Sequence, residues 1–172
     1  MRELETERLR LRALCLDDVQ SVYDGWANDP EVTRYLTWNP HQSPEQTRAI
    51  MNIWLEEYKK ENCFRYGIER KADRALIGMI DVVGFLDGDP VIGYCSGKQY
   101  WNRGYMTEAF RAVVQELFSS GYKAIIVEAV EENTGSNRVI EKCGFSFVGS
   151  REQPLSRFKP DIVNINSYRL NK

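Results

Sequence analysis

Metal and redox chemistry have little to work with in this sequence. One histidine, His41, stands among 172 residues, and the four cysteines (Cys15, Cys63, Cys95, Cys143) are scattered without a C-x-x-C pair. A zinc or iron–sulfur centre needs ligands at short, repeated spacing, so a metal-free protein is expected. The start, Met1-Arg2-Glu3-Leu4-Glu5, is charged and does not read as a signal peptide, which points to reduced thiols in a cytoplasmic setting. No apolar run approaches the ~20 residues of a membrane helix. An excess of one charge is lacking too. Lys and Arg number 23 against 25 Asp and Glu, a net charge of −2, and with no basic block nucleic acid is disfavoured as a primary partner. A P-loop lysine signature, a G-x-G-x-x-G run, a G-x-S-x-G elbow and a Cys–His pairing are all missing, which argues against a magnesium triphosphate site and a covalent Ser or Cys mechanism. Repeats and low-complexity tracts are absent, and the chain length suits one domain spanning 1–172 with its own core.

What is present reads as alternating strands and helices. Leu9, Leu11 and Ala13 alternate with Arg8, Arg10 and Arg12, a period-two strand. A helix is expected from Leu16 to about Ala27 with Asp17 or Asp18 serving its free amides, and Asn28-Asp29-Pro30 breaks it. Ser43-Pro44-Glu45-Gln46 opens a second helix that puts Ile50, Ile53, Trp54 and Tyr58 on one stripe and ends near Asn62. Strands at Phe64–Ile68, Leu76–Phe85 and Val91–Ser96 are separated by turns too short for anything but an antiparallel meander. A third helix spans Tyr105–Ser120, the nearly continuous apolar run Ala124–Val130 reads as an interior strand, and a helix over Gly135–Cys143 follows. Two last strands, Phe145–Gly149 and Ile162–Leu170, are expected to flank a loop holding Pro154 and Pro160. The class is α/β (α+β): a mixed, mostly antiparallel sheet of about seven strands with about four helices.

The stretch Ile92 to Ala109 carries the most chemistry. An apolar strand runs into the loop Gly97-Lys98-Gln99-Tyr100-Trp101-Asn102-Arg103-Gly104, which opens directly into a helix. The first turn of a helix has unpaired N–H groups and partial positive charge, and a glycine at its entry lets a phosphate approach the backbone. The expected ligand is a pyrophosphate held by main-chain amides around Arg103-Gly104-Tyr105-Met106, with the Thr107 hydroxyl as a further donor.

These residues resemble the acyl-CoA-dependent N-acetyltransferases of the GNAT superfamily. The family's Gln/Arg-x-x-Gly-x-Gly/Ala loop is matched in register by Trp101-Asn102-Arg103-Gly104-Tyr105-Met106, with the central glycine kept and the first and last positions changed. A second match, Asn133-Thr134-Gly135-Ser136-Asn137-Arg138-Val139-Ile140-Glu141-Lys142-Cys143-Gly144-Phe145, is similar to a later family helix with its Asn-x-x-Ser start and Glu-Lys-x-Gly-Phe end. Tyr100-Trp101 and Tyr105-Met106-Thr107-Glu108-Ala109 add a likeness to the branch containing the RimJ/RimL ribosomal-protein acetyltransferases. The resemblance implies acetyl-CoA as co-substrate and a parallel strand pair, ending at Ser96 and near Val130, that splays apart. Unpaired backbone groups in such a gap are costly unless a ligand satisfies them, and the pantetheine arm of CoA can act as a substitute strand.

Acetyl transfer to an amine requires a base, donors for the oxyanion and stabilisation of the departing thiolate. For the oxyanion the resemblance points to backbone N–H groups at Tyr94, Cys95 and Ser96. Glu128 is the candidate base: a carboxylate in an apolar strand, at the position of a catalytic glutamate in Rim-type enzymes. Its alternative is a solvent-facing side chain at a strand end. Asn133 is implied to anchor the pantetheine, and it equally suits a helix N-cap. Many family members carry a tyrosine near the sulfur where this chain has Ile140, so Ser136 is the candidate acid, with a plain capping serine as the other reading. Asn102, Arg103, Gly104, Tyr105, Met106 and Thr107 complete the cofactor set. Glu108 reads as a helix-dipole partner, and His41 as a solvated loop residue. Tyr35, Trp38 and Trp54 read more as core than as ligand contacts. The acceptor is expected between segment Glu31 to Ser43 and loop Ser150 to Asp161. It is either a protein N-terminal amine or a small-molecule amine, with Glu31, Asp81, Glu128 and Glu131 available to a polycation. A non-catalytic acyl-CoA sensor is the rival of another class. The protein is expected to be a monomer or homodimer.

Overall fold

Leu9 and Leu11 are fully buried while Arg10 and Arg12 lie on the opposite face of the same strand, so the period-two pattern does set that strand's orientation. The computed structural model describes residues 2–60 and 62–172. In chain order the strands and helices are β1 (Leu4–Glu5), β2 (Leu9–Arg12), α1 (Val19–Val22), α2 (Pro30–Thr33), α3 (Pro44–Glu57), β3 (Arg65–Arg70), β4 (Leu76–Leu86), β5 (Asp89–Ser96), α4 (Tyr105–Ser119), β6 (Ala124–Val130), α5 (Thr134–Lys142), β7 (Ser146–Ser156) and β8 (Lys159–Asn171). One sheet holds the described strands in the order β1-β2-β3-β4-β5-β6-β8-β7, antiparallel throughout except for the β5–β6 pair.

Two apolar layers cover the sheet. On one face α4 and α5 bury Phe110, Val113, Leu117 and Ile140 against Ile80, Ile92, Ile125 and Val127. On the other, α1, the turn that follows it and α3 bring Val19, Val22, Trp26 and Met51 onto Met79 and Cys95. Burial of such side chains, at about 1.5–3 kcal/mol each, is the main favourable term in folding.

Four sequence expectations are corrected. The eighth strand is β1, whose two residues are too short to show a period. The expected Leu16–Ala27 helix is three short pieces: a 3₁₀ turn over Leu16–Asp18, α1, and a π turn over Tyr23–Ala27. On α3 the inward stripe is Thr47, Met51, Trp54 and Tyr58, with Ile53 exposed; the helix is turned so that the Tyr58 hydroxyl accepts the Leu14 N–H at 3.0 Å. The Ser150–Asp161 loop is instead the end of a long β7–β8 hairpin closed by Arg157 and Phe158. Pro154 is tolerated because β7 is an edge strand. Pro160 is tolerated because β6 pairs with β8 only from Ile165 onward, so no ladder bond is lost.

Candidate active site

The parallel ladder between β5 and β6 has two rungs, Val91 with Ile126 and Ile92 with Val127, and then stops. Both strands continue, β5 to Ser96 and β6 to Val130, with no pairing between those ends. The β4 side of β5 stays zipped through Gly78 and Ser96. Gly97 N–H donates to the Ile77 carbonyl at 3.0 Å, and the alternation of an antiparallel ladder therefore turns Cys95 and Gly93 toward β4. Tyr94 and Ser96 point their N–H groups the other way, into the gap. Of the three residues expected to face the cofactor, Cys95 thus presents its main chain to Met79 and its side chain to the α1/α3 core. The Ser96 carbonyl is taken by the Trp101 indole N–H at 2.9 Å, which leaves its N–H as the open group.

The loop after β5 is held under the π turn. A Cβ on Gly97 would lie 2.6 Å from the Gly25 carbonyl oxygen, so only glycine lets these two segments meet. A 3₁₀ turn at Lys98–Tyr100 and left-handed Asn102 (φ 59°) then bring the chain to Gly104, which is itself left-handed (φ 78°) and stands at the N-cap of α4. No side chain caps this helix. Its first intrahelical bond runs from Glu108 N–H to Gly104 carbonyl at 3.1 Å, and the N–H groups of Tyr105, Met106 and Thr107 precede it. The predicted phosphate cradle is therefore a row of main-chain donors at a helix start.

Arg8 is a member of this region that sequence reasoning missed. Its guanidinium donates to the Arg103 carbonyl at 3.0 Å, pairs with Glu108 at 2.7 Å and lies over the Tyr105 ring at 4.5 Å. Arg8 reads only as the polar face of a strand, because its partners are about a hundred residues away. Glu108 accepts from the Thr6 hydroxyl, the Arg8 N–H and the Arg8 guanidinium. Partial burial pushes the Glu108 carboxyl up, but those three bonds outweigh it and hold the group below the usual range. It ties the segment before β2 to α4, a long-range pairing that the expected helix-dipole role did not include. Along the outer face of α4 runs a groove of about 590 Å³ lined by Arg8, Gly104, Thr107, Arg111 and Lys142, among others.

Glu128 is the first β6 residue beyond the ladder, on the face away from α4 and α5. It is not stranded among apolar neighbours: Arg151 of β7 pairs with both its oxygens at 2.7 and 2.8 Å. Beyond the end of β6, Asn133 caps α5 by accepting the Ser136 N–H at 3.1 Å. The Ser136 hydroxyl lies 2.7 Å from the Tyr94 hydroxyl. Asn137, quoted within the motif but given no role, is buried. It donates to the carbonyls of Val130, Glu131 and Asn133 and accepts from Tyr168, so it fixes the turn that carries Asn133.

The expected acceptor walls do meet. Lys159, near the tip of the β7–β8 hairpin, donates to the Thr33 carbonyl at 2.5 Å, and Lys98 pairs with Glu31, so α2 is pinned from two sides. His41 is a correction. It is buried, with Nδ1 2.8 Å from the Thr47 hydroxyl and its ring against Trp38, and burial pushes its pKa down. Trp38 and Trp54 pack against the α1/α3 core.

Residues 8–146 match the acetyltransferase (GNAT) domain family. The chain belongs to the GNAT acetyltransferase family. It is 32% identical over 153 residues to YoaA of Bacillus subtilis (strain 168), an uncharacterized N-acetyltransferase, covering 87% of this chain and 86% of that one. RimL, the ribosomal L7/L12 alpha-N-protein acetyltransferase solved with coenzyme A, superposes with a TM-score of 0.82 at 19% identity, covering 99% and 98%. MccE, the microcin C7 self-immunity acetyltransferase solved with acetyl-CoA and AMP, superposes with a TM-score of 0.84 at 17% identity, covering 97% and 94%. At those identities the two structures speak for the fold. Among the described residues no helix is long and apolar enough to cross a membrane, and no group of three His, Cys, Asp or Glu side chains is gathered to hold a metal.

Proposed function

We propose that this GNAT acetyltransferase moves an acetyl group from acetyl-CoA to the primary amine of a protein or peptide N-terminus, by direct attack within a ternary complex. The observation that carries the reading is the gap: two parallel strands stop pairing one residue before Glu128, next to an uncapped helix start. Open N–H groups at Tyr94 and Ser96 suit both a pantetheine amide and a developing oxyanion. The amides of Gly104 to Thr107 suit a diphosphate, and Arg111 and Lys142 add cationic charge along the same helix. Glu128, on the acceptor face, is the group proposed to take the ammonium proton. Ser136 and Asn133, on the other face, are proposed to stand at the sulfur end of the cofactor. The amine nitrogen attacks the thioester carbonyl and forms the new amide bond, losing its second proton to water, while the carbon–sulfur bond breaks and its electron pair stays on sulfur.

Charge pairing favours a peptide over a polycation as acceptor. Glu31 is paired with Lys98, Asp81 with Arg65, Glu128 with Arg151, and Glu131 accepts from Asn164. The acidic lining that would draw a polyamine is thus largely neutralised. The alpha-N-protein chemistry of RimL supports the same choice, as does the likeness of Tyr100–Ala109 to that branch. Incubation with isotope-labelled acetyl-CoA, free-N-terminal peptides and a panel of polyamines, amino acids and aminoglycosides, read by mass spectrometry, tests it. Labelled peptide supports the proposal. Label only on a small amine overturns the acceptor, and cofactor binding without any product would leave a sensor.

Gly104→Val should weaken acetyl-CoA binding by about ten- to a hundredfold in calorimetry. A β-branched residue at φ 78° is strained by roughly 1–3 kcal/mol, and the helix start relieves that strain by moving its donors. The space itself is open, since a Cβ there would meet only Arg8 at 3.4 Å. An unchanged dissociation constant would remove the helix start from the cofactor site.

A further inference from the structure

Tyr94 reaches from β5 to α5 at the point where β5 and β6 have parted. Its hydroxyl lies 2.7 Å from the Ser136 Oγ and 3.2 Å from the Ser136 carbonyl oxygen, and its ring packs on Phe110. The phenol has one proton and two acceptors within reach. If Tyr94 donates to the carbonyl, the serine can donate back to the phenol oxygen, and its own proton then points away from the gap. If Tyr94 donates to Oγ, the serine proton is free to face the gap, and the bond it receives strengthens the one it gives. Burial pushes the Tyr94 phenol well above its ordinary value, so it remains a donor across the working pH range. The usual family tyrosine is absent at Ile140, which is buried in the α4/α5 core.

We infer that Tyr94 is a positioning residue whose hydroxyl aims the Ser136 hydroxyl at the departing sulfur of CoA. This inference rests on the placement of Ser136 at the sulfur end of the cofactor. Ser136 donates a hydrogen bond as the carbon–sulfur bond breaks and keeps its own proton. The thiolate takes its proton from water after release. Tyr94 therefore needs no reprotonation between turnovers.

The test is a double-mutant cycle with Tyr94→Phe and Ser136→Ala. CoA release is followed with a free-N-terminal peptide as acceptor, and in parallel as the acceptor-independent hydrolysis of acetyl-CoA. Each single variant should lower kcat by about tenfold, the size of one neutral hydrogen bond, with KM for acetyl-CoA within about twofold. The double variant should be no slower than Ser136→Ala alone. An acetyl aryl thioester, whose thiol leaves more readily, should shrink the Tyr94→Phe defect. A purely structural strut would instead raise KM, lower the melting temperature and leave the two losses additive, which overturns the inference. So does a Tyr94→Phe enzyme of wild-type kcat beside a slow Ser136→Ala enzyme, with the Ser136 assignment left standing. A Ser136→Ala enzyme of wild-type rate removes that assignment and the inference together.

Discussion

Glu128→Gln should lose about a hundredfold or more in kcat while acetyl-CoA affinity stays within about twofold. The size is that of a general base removed from an amine-deprotonating step. The amide keeps the shape of the side chain and can still accept from Arg151, so the effect is confined to proton acceptance. Stability should hardly move, since a half-exposed ion pair contributes at most about 1 kcal/mol. Strand parity gives the prediction its force. Val91 and Ile126 are paired, which sets Glu128 on the α1/α3 side of the sheet, while Tyr94 and Ser136 lie on the other. The carboxylate and the serine therefore approach the gap from opposite faces, as a reaction needs when an amine enters on one side and a thiolate leaves on the other. Wild-type turnover by Glu128→Gln at every pH from 6 to 9 would eliminate it as the base.

Arg12→Ala should cost about 3–5 kcal/mol of folding stability, measured by urea unfolding at pH 7, the range found when one partner is removed from a buried ion network. The Arg12 guanidinium is 16% exposed, grips both oxygens of Asp18 at 2.8 Å and donates to Glu69 at 2.7 Å. Its loss leaves Asp18 without a cation and Glu69 with only the longer contact to Arg10 at 4.0 Å, in a place water barely reaches. Burial alone would push Asp18 up, but the Arg12 bonds and the Cys15 N–H outweigh it and hold the group below its ordinary 3.8. A depressed carboxyl stabilises the native state above its unfolded pKa, and that stabilisation disappears as pH falls through the folded value. The gap between wild type and Arg12→Ala should therefore be widest near neutrality and narrow below about pH 4. A gap of the same size at pH 3 and pH 7 would show that packing, not charge, sets the loss.

Local signals were legible in the sequence and distant ones were not. The glycine at the entry to α4, the Asn133 cap and the first-turn position of Glu108 each depend on a few neighbouring residues, and each stands where the chain order placed it. The parity of Glu128 was not readable, because an apolar strand covered on both faces has no alternation to betray which side a polar residue takes. The Tyr94–Ser136 bond spans 42 positions and the Arg8–Arg103 bond spans 95, so no window along the chain contains either. His41 misled for a related reason. A loop rich in polar residues reads as solvated, yet the hydroxyl of Thr47 and the ring of Trp38 supply a complete buried environment. Prolines misled at the β7–β8 hairpin, where an outer strand and a tip beyond the reach of β6 forgive what an interior strand would not.

The hydrogens offered in the cleft by Tyr94 and Ser96 belong to peptide units, not to side chains. Substitution can redecorate both positions and leave those hydrogens where they are; proline alone deletes them. The trajectory of the polypeptide, rather than the letters along it, sets where these two donors point.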